Sequence, residues 1–139
     1  MVDAESVQRR LRRLDEQVQQ LRMLGDLSRE EFLSDNLKQA AAARLLQTSI
    51  QVVLDIGSHI LAERGVVDWE EYRQIPQRLA QLEVISRSLS ERLKKAAGVR
   101  NILVHMYLDV DAGMLYDTIH HELDAFGEFT ECVLLELGD

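Results

Sequence analysis

Four polar side chains that can take part in chemistry lie within eight residues of one another in an otherwise apolar segment. These are Arg100, Asn101, His105 and Tyr107. Histidine changes its protonation near neutral pH, so it can remove a proton from an RNA 2′-hydroxyl or protonate a leaving 5′-oxygen. Arginine offers a planar, permanently charged guanidinium for a phosphate and for the charge that develops on it. These residue types suit phosphodiester cleavage that requires no metal ion.

The spacing of these residues predicts a site shared between two copies of the chain. Successive residues of an α-helix are rotated by about 100°, so Arg100 and His105 point roughly 140° apart. Asn101 and His105 share a face, and Asn101 can orient the imidazole or a phosphate. One helix cannot bring all of these groups to one point. We therefore expect the same helix of a second copy to complete a cleft around a two-fold axis.

Helices are the predicted elements that position this segment. The chain has one Pro and seven Gly, and no stretch shows the period-2 alternation of a strand. Apolar residues spaced by three and four predict a first helix over residues 4–25 and a central helix over residues 36–64. Between them, Ser28 and Glu31 predict a capping box for a short turn.

The second half of the chain continues the helical pattern. Residues 66–76 predict a short helix and a turn. Ser88 and Glu91 predict a capping box for a helix that reaches Met106 or Tyr107, and Asp111 predicts the cap of one last helix. We therefore predict one all-α domain over residues 1–139, an up-and-down bundle of four main helices plus one or two short ones.

Composition and charge narrow the class of protein. Of the 139 residues, 46% are hydrophobic, which is enough to bury a core. The single cysteine, Cys132, predicts a reduced, buried thiol in a cytoplasmic protein. The N-terminal arginines are followed by no signal-peptide core, and the apolar run over residues 50–62 is too short to cross a bilayer. We therefore expect no membrane partner.

The net charge of -8 argues against broad coating of RNA, but it is unevenly distributed. Residues 85–108 contain five Lys or Arg against Glu91 alone, whereas residues 109–139 contain nine carboxylates and no Lys or Arg. This distribution predicts a narrow basic cleft with acidic flanks.

Asp55 is a second candidate, because a carboxylate among apolar neighbours is costly unless it is paired. It can form an ion pair, cap a helix, or orient Arg100 across the bundle. Arg100 and His105 themselves can be read as an ion pair and a hydrogen-bonded core histidine. The histidines show no Glu-x-x-His pairing, so we predict no metal site.

The pattern Arg100, four residues, His105, one residue, Tyr107 resembles the R-x4-H-x-Y signature of HEPN-domain ribonucleases. The chain is similar in particular to the HepT-like toxins of type VII toxin–antitoxin pairs. The similarity extends to the run LDIGSH at residues 54–59, to the linker over residues 69–75 and to the order of the helices.

This resemblance implies a homodimeric, metal-independent endoribonuclease without a cofactor, in which Arg100 and His105 of both protomers line the cleft. It also implies a cognate minimal nucleotidyltransferase antitoxin that transfers AMP from ATP to Tyr107. AMP at this position would exclude an RNA phosphate by size and like charge. Two alternatives remain open: a non-catalytic adaptor of a nucleotidyltransferase, and a purely structural helical interaction protein.

Overall fold

The computed structural model describes residues 3–105 and 111–138. This part of the chain folds into seven helices and contains no strand, which confirms the all-α prediction. Three of these helices are long and two are short. The single last helix that the sequence predicts is observed as two shorter helices. Their bounds are α1 (Ala4–Gly25), α2 (Arg29–Leu33), α3 (Asn36–Glu63), α4 (Gln74–Gln81), α5 (Arg87–Val104), α6 (Ala112–His121) and α7 (Asp124–Glu136).

Helix α3 is the centre of the bundle, because it contacts α1, α2, α4, α5 and α6. Its buried residues accordingly lie on more than one face. By length and composition, α3 is the one described helix that is apolar enough to cross a membrane. Half of the most apolar stretch of α3 is buried inside the bundle, so packing against the neighbouring helices accounts for its apolar character.

Side-chain caps define where several helices begin. The predicted capping box is present: the Ser28 hydroxyl accepts from the Glu31 N–H, and Glu31 Oε1 accepts from the Ser28 N–H, both at 3.1 Å. The Ser28 backbone N–H, and after it the Ser28 hydroxyl, lower the pKa of Glu31. Asp111 caps α6 as predicted, by accepting from the Met114 N–H at 3.0 Å.

The predicted cap of α5 is wrong by two residues. Ser86, and not Ser88, accepts the backbone N–H of Leu89 at 3.0 Å. Ser88 is exposed inside the first turn, so the pairing of Ser88 with Glu91 resembles a capping box only in sequence. Starting the helix at Arg87 places Leu89 in the core.

The last helix is also interrupted, whereas the regular apolar spacing predicts one continuous helix. Helix α6 ends at His121 with Glu122 as its C-cap, and α7 begins at Asp124 after Leu123. The Phe126 N–H bonds to the Leu123 carbonyl three residues earlier, at 3.1 Å, which tightens the chain at this point. No Gly or Pro lies at the break, so the local sequence contains no signal for it.

A glycine lets α4 lie close against α3. A Cβ atom at Gly57 would lie 2.7 Å from Ile75 Cγ2 and 3.1 Å from Leu79 Cδ1. Both neighbours belong to the core and cannot move freely. Gly57, in the LDIGSH run, therefore determines how closely α4 and the loop before it approach α3.

Cys132 is free and only partly buried, packed against the core. Burial, and secondarily the charge of Glu131, raises the pKa of its thiol. The side chain is therefore a weakly reactive packing residue, less buried than the sequence predicts.

The cap of α5 gives a direct test of this assignment. We expect Ser86→Ala to lower the free energy of unfolding by about 1 kcal/mol, because the Leu89 N–H loses its acceptor. Ser88→Ala is the matched control and should change it by less than about 0.5 kcal/mol. Urea unfolding measures both values. A larger loss of stability for Ser88→Ala than for Ser86→Ala would instead support the Ser88–Glu91 capping box that the sequence predicts.

Candidate functional site

The candidate site lies at the C-terminal end of α5. Ala97, Arg100 and Leu103 are spaced by three, and both Ala97 and Leu103 are buried, so Arg100 follows the buried face of the helix. This position directs its side chain across to α3. Arg100 is half-buried, whereas Asn101 is exposed.

Helix α5 ends at Val104, and His105 is the C-cap, with its backbone N–H bonded to the carbonyls of Ile102 and Leu103. The predicted continuation to Met106 or Tyr107 ends on residues that lie outside the described part of the chain. His105 is exposed at the helix end. Tyr107 lies outside the described residues, so its assigned role stays a prediction.

Three neutral groups hold the guanidinium of Arg100. Its Nε donates to Gln51 Oε1 on α3 at 2.9 Å, and its Nη1 donates to Asn101 Oδ1 at 3.0 Å. Its Cζ lies 4.6 Å from the centre of the Tyr72 ring, in the loop before α4. The second terminal nitrogen, Nη2, has no acceptor in the part of the chain that the structure describes.

Asp55 reaches Arg100 only through Gln51. The two residues are one turn apart on α3, and Gln51 Nε2 donates to Asp55 Oδ1 at 2.8 Å. The sequence left open an ion pair, a helix cap or a contact that orients Arg100. The structure shows an indirect contact, in which Asp55 binds Gln51 and Gln51 binds Arg100. The carboxylate is exposed, which corrects the expectation that it lies among apolar neighbours.

The other cations of α5 are mostly neutralised. Arg92 pairs with Glu128, Lys95 pairs with Glu122 at 2.8 Å, and Lys94 lies 3.5 Å from Glu91. Glu128 of α7 and Glu122, the C-cap of α6, thus supply two of the three partners. Within residues 3–105 and 111–138, Arg100 has no carboxylate at ion-pair distance. At this end of α5 the predicted basic cleft is therefore reduced to Arg100, and Arg87 lies at the opposite end of the helix.

An exposed apolar side chain accompanies the polar residues at this end of α5. Ile102 is 52% exposed, although it lies between exposed Asn101 and buried Leu103. Single exposed apolar side chains are ordinary on protein surfaces, so Ile102 is a neighbour of the site and not by itself evidence of an interface.

The structure brings together Arg100, Asn101 and, through Gln51, Asp55. No side-chain hydrogen bond among the described residues joins His105 to this network. Sequence reasoning missed two members, Gln51 and Tyr72. The spacing of four between Gln51 and Asp55 was a usable signal, whereas Tyr72 reaches Arg100 only because α4 packs on α3.

Comparisons with known proteins agree with this fold. The family model described as Ribonuclease HepT-like matches residues 7–133. The chain is 29% identical to the mRNA nuclease HepT of Shewanella oneidensis, over 76% of this chain and 80% of that one. It is 25% identical to the tRNA nuclease HepT of Aphanizomenon flos-aquae, over 86% and 82% of the two chains.

A solved structure gives the same result. The tri-AMPylated HEPN toxin of Shewanella oneidensis, in complex with its MNT antitoxin, superposes with a TM-score of 0.85 at 26% identity. The match covers 97% of this chain and 99% of that one. The family match runs from α1 to α7 and includes the residues that contact Arg100. The chain belongs to the HepT-like ribonuclease family and has its all-α HEPN fold.

Proposed function

We propose that this protein is a metal-independent endoribonuclease toxin whose cleft lies between two copies of the chain. The observation that carries this proposal is the guanidinium of Arg100. It is held by neutral groups, no carboxylate among the described residues neutralises it, and its Nη2 is left for another acceptor. A buried ion pair would give the opposite arrangement. A phosphate is the acceptor that this geometry suits.

The reaction divides between Arg100 and His105. One His105 removes the proton of the RNA 2′-hydroxyl, and the 2′-oxygen attacks the adjacent phosphorus. The bond from phosphorus to the 5′-oxygen breaks, and the same His105, now protonated, returns the proton to that oxygen. The products are a 2′,3′-cyclic phosphate and a free 5′-hydroxyl. Arg100 binds the phosphate and stabilises the negative charge that develops on it.

A second copy supplies what one copy lacks. Arg100 is directed from α5 to α3, and His105 is exposed at the helix end without a side-chain hydrogen bond to it among the described residues, so the His105 of a second copy can face the phosphate that Arg100 binds. We propose a two-fold dimer through this end of α5, acting in the cytoplasm, where a free Cys132 thiol stays reduced.

We further propose that a cognate nucleotidyltransferase antitoxin silences the enzyme by transferring AMP to Tyr107. The related Shewanella oneidensis toxin is tri-AMPylated in complex with its MNT antitoxin, which supports this assignment. AMP two residues from His105 would bring a phosphate into the space that the RNA phosphate needs. Size and like charge would then exclude the substrate.

Cleavage of RNA in excess EDTA tests the catalytic roles. We expect the protein to cleave RNA, His105→Ala to lose about 10²-fold or more of the rate, and Arg100→Ala a similar factor. His121→Ala and Arg13→Ala remove exposed side chains elsewhere and should stay within about twofold. All variants should unfold at similar temperatures.

Full activity in His105→Ala would refute this mechanism. Inactive wild-type protein that still binds the nucleotidyltransferase would support the alternative, a non-catalytic adaptor.

Intact mass spectrometry tests the modification. We expect protein made together with its neighbouring nucleotidyltransferase to gain mass in units of AMP and to lose RNA cleavage. Tyr107→Phe should abolish the gain. Tyr116→Phe is the control, because the Tyr116 hydroxyl already donates to the Leu27 carbonyl at 2.8 Å. Additions that persist in Tyr107→Phe would refute the assignment.

A further inference from the structure

The hydrogen bonds that hold Arg100 run in one defined direction from donor to acceptor. A guanidinium can only donate hydrogen bonds, and a carboxylate can only accept them. The amide of Gln51 lies between the two, so its oxygen must face Arg100 and its nitrogen must face Asp55. Both contacts have this sense, with Arg100 Nε on Gln51 Oε1 at 2.9 Å and Gln51 Nε2 on Asp55 Oδ1 at 2.8 Å. Asp55 therefore prevents the amide from turning its N–H groups toward the guanidinium.

The aromatic ring of Tyr72 restrains a different movement of the Arg100 guanidinium. The hydrogen bond to Gln51 fixes the Nε edge of the guanidinium, and the ring lies against its face, 4.6 Å from Cζ. Tyr72 is itself packed against the core and lies 5.9 Å from the Trp69 ring, centre to centre. The ring therefore restrains the plane of the guanidinium.

These two restraints matter because arginine is a long, flexible side chain. A free arginine near a helix end samples many rotamers, and ordering it on substrate binding costs entropy. Misplacement of a catalytic group by about 1 Å can cost about 10²-fold in rate. With the Nε edge and one face occupied, Nη2 is the nitrogen left for a phosphate oxygen.

We propose that Gln51 and Tyr72 are positioning residues for Arg100, and that Asp55 acts by fixing the orientation of the Gln51 amide. This inference rests on the proposed ribonuclease function. None of the three touches the scissile phosphate. Their effect is to hold one guanidinium edge toward the cleft before RNA arrives.

Steady-state cleavage of a short RNA tests the positioning role. Gln51→Met keeps the length of the side chain but accepts no hydrogen bond from Arg100, so kcat should fall by about tenfold or more. Gln19→Met makes the same change at an exposed position of α1 and should leave kcat within about twofold. Tyr72→Phe keeps the ring and should retain activity, whereas Tyr72→Leu should lose it.

A double-mutant cycle separates an indirect role of Asp55 from a direct one. Asp55→Asn should lower kcat less than Gln51→Met, because an asparagine permits either orientation of the Gln51 amide. The double variant should be no slower than Gln51→Met alone, since Asp55 then has nothing left to orient. Additive losses would overturn the indirect role of Asp55. Asp55 is exposed, so this arm stays readable even if Tyr72→Leu fails to fold.

A measurement without RNA keeps the two proposals apart. In ¹⁵N NMR spectra, Arg100 Nε–H should give a resonance protected from exchange with water in the wild type and unprotected in Gln51→Met. Inactive wild-type protein that shows this protection would refute the proposed function and leave the restraint of Arg100 intact. Active wild-type protein, with unchanged kcat and an unchanged resonance in Gln51→Met, would overturn the positioning role.

Discussion

The hydrogen bond between Arg100 and Gln51 depends on the packing of α5 against α3. Arg100 lies on the buried face of α5, three residues from Ala97 and three from Leu103, so the core contacts that seat the helix also direct the guanidinium. Gly57 permits the close approach of α4, and with it the loop that presents Tyr72. The central helix therefore positions both the edge and the face of one arginine.

The acidic composition of the chain has a structural explanation. Carboxylates of α6 and α7 pair with Arg92 and Lys95 of α5, so much of the local basic excess is neutralised within the bundle. Arg100 differs because its partners are an amide, a second amide and an aromatic ring. A guanidinium held by neutral groups keeps its full charge for an external anion. Such a protein can be acidic overall and still offer a narrow site to a phosphate.

Sequence reasoning predicts most of the fold, because apolar periodicity directly reflects which helix faces are buried. It fails where a local signal is misleading or absent: Ser88 has the capping-box pattern with Glu91, yet Ser86 caps α5, and nothing in the sequence marks the break between His121 and Asp124. The chemistry of Arg100 and His105 can be proposed from residue type and spacing. The contact with Tyr72 cannot, because it depends on how two helices pack.

We propose that Arg100 and His105 act together across an interface between two copies. Mixing the inactive variants Arg100→Ala and His105→Ala, after partial unfolding and refolding together, tests it most directly. A mixed dimer has one intact Arg100 and one intact His105, contributed by different copies. We expect the mixture of the two variants to cleave RNA well above the rate of either variant alone. Mixed dimers that form but remain inactive would contradict it.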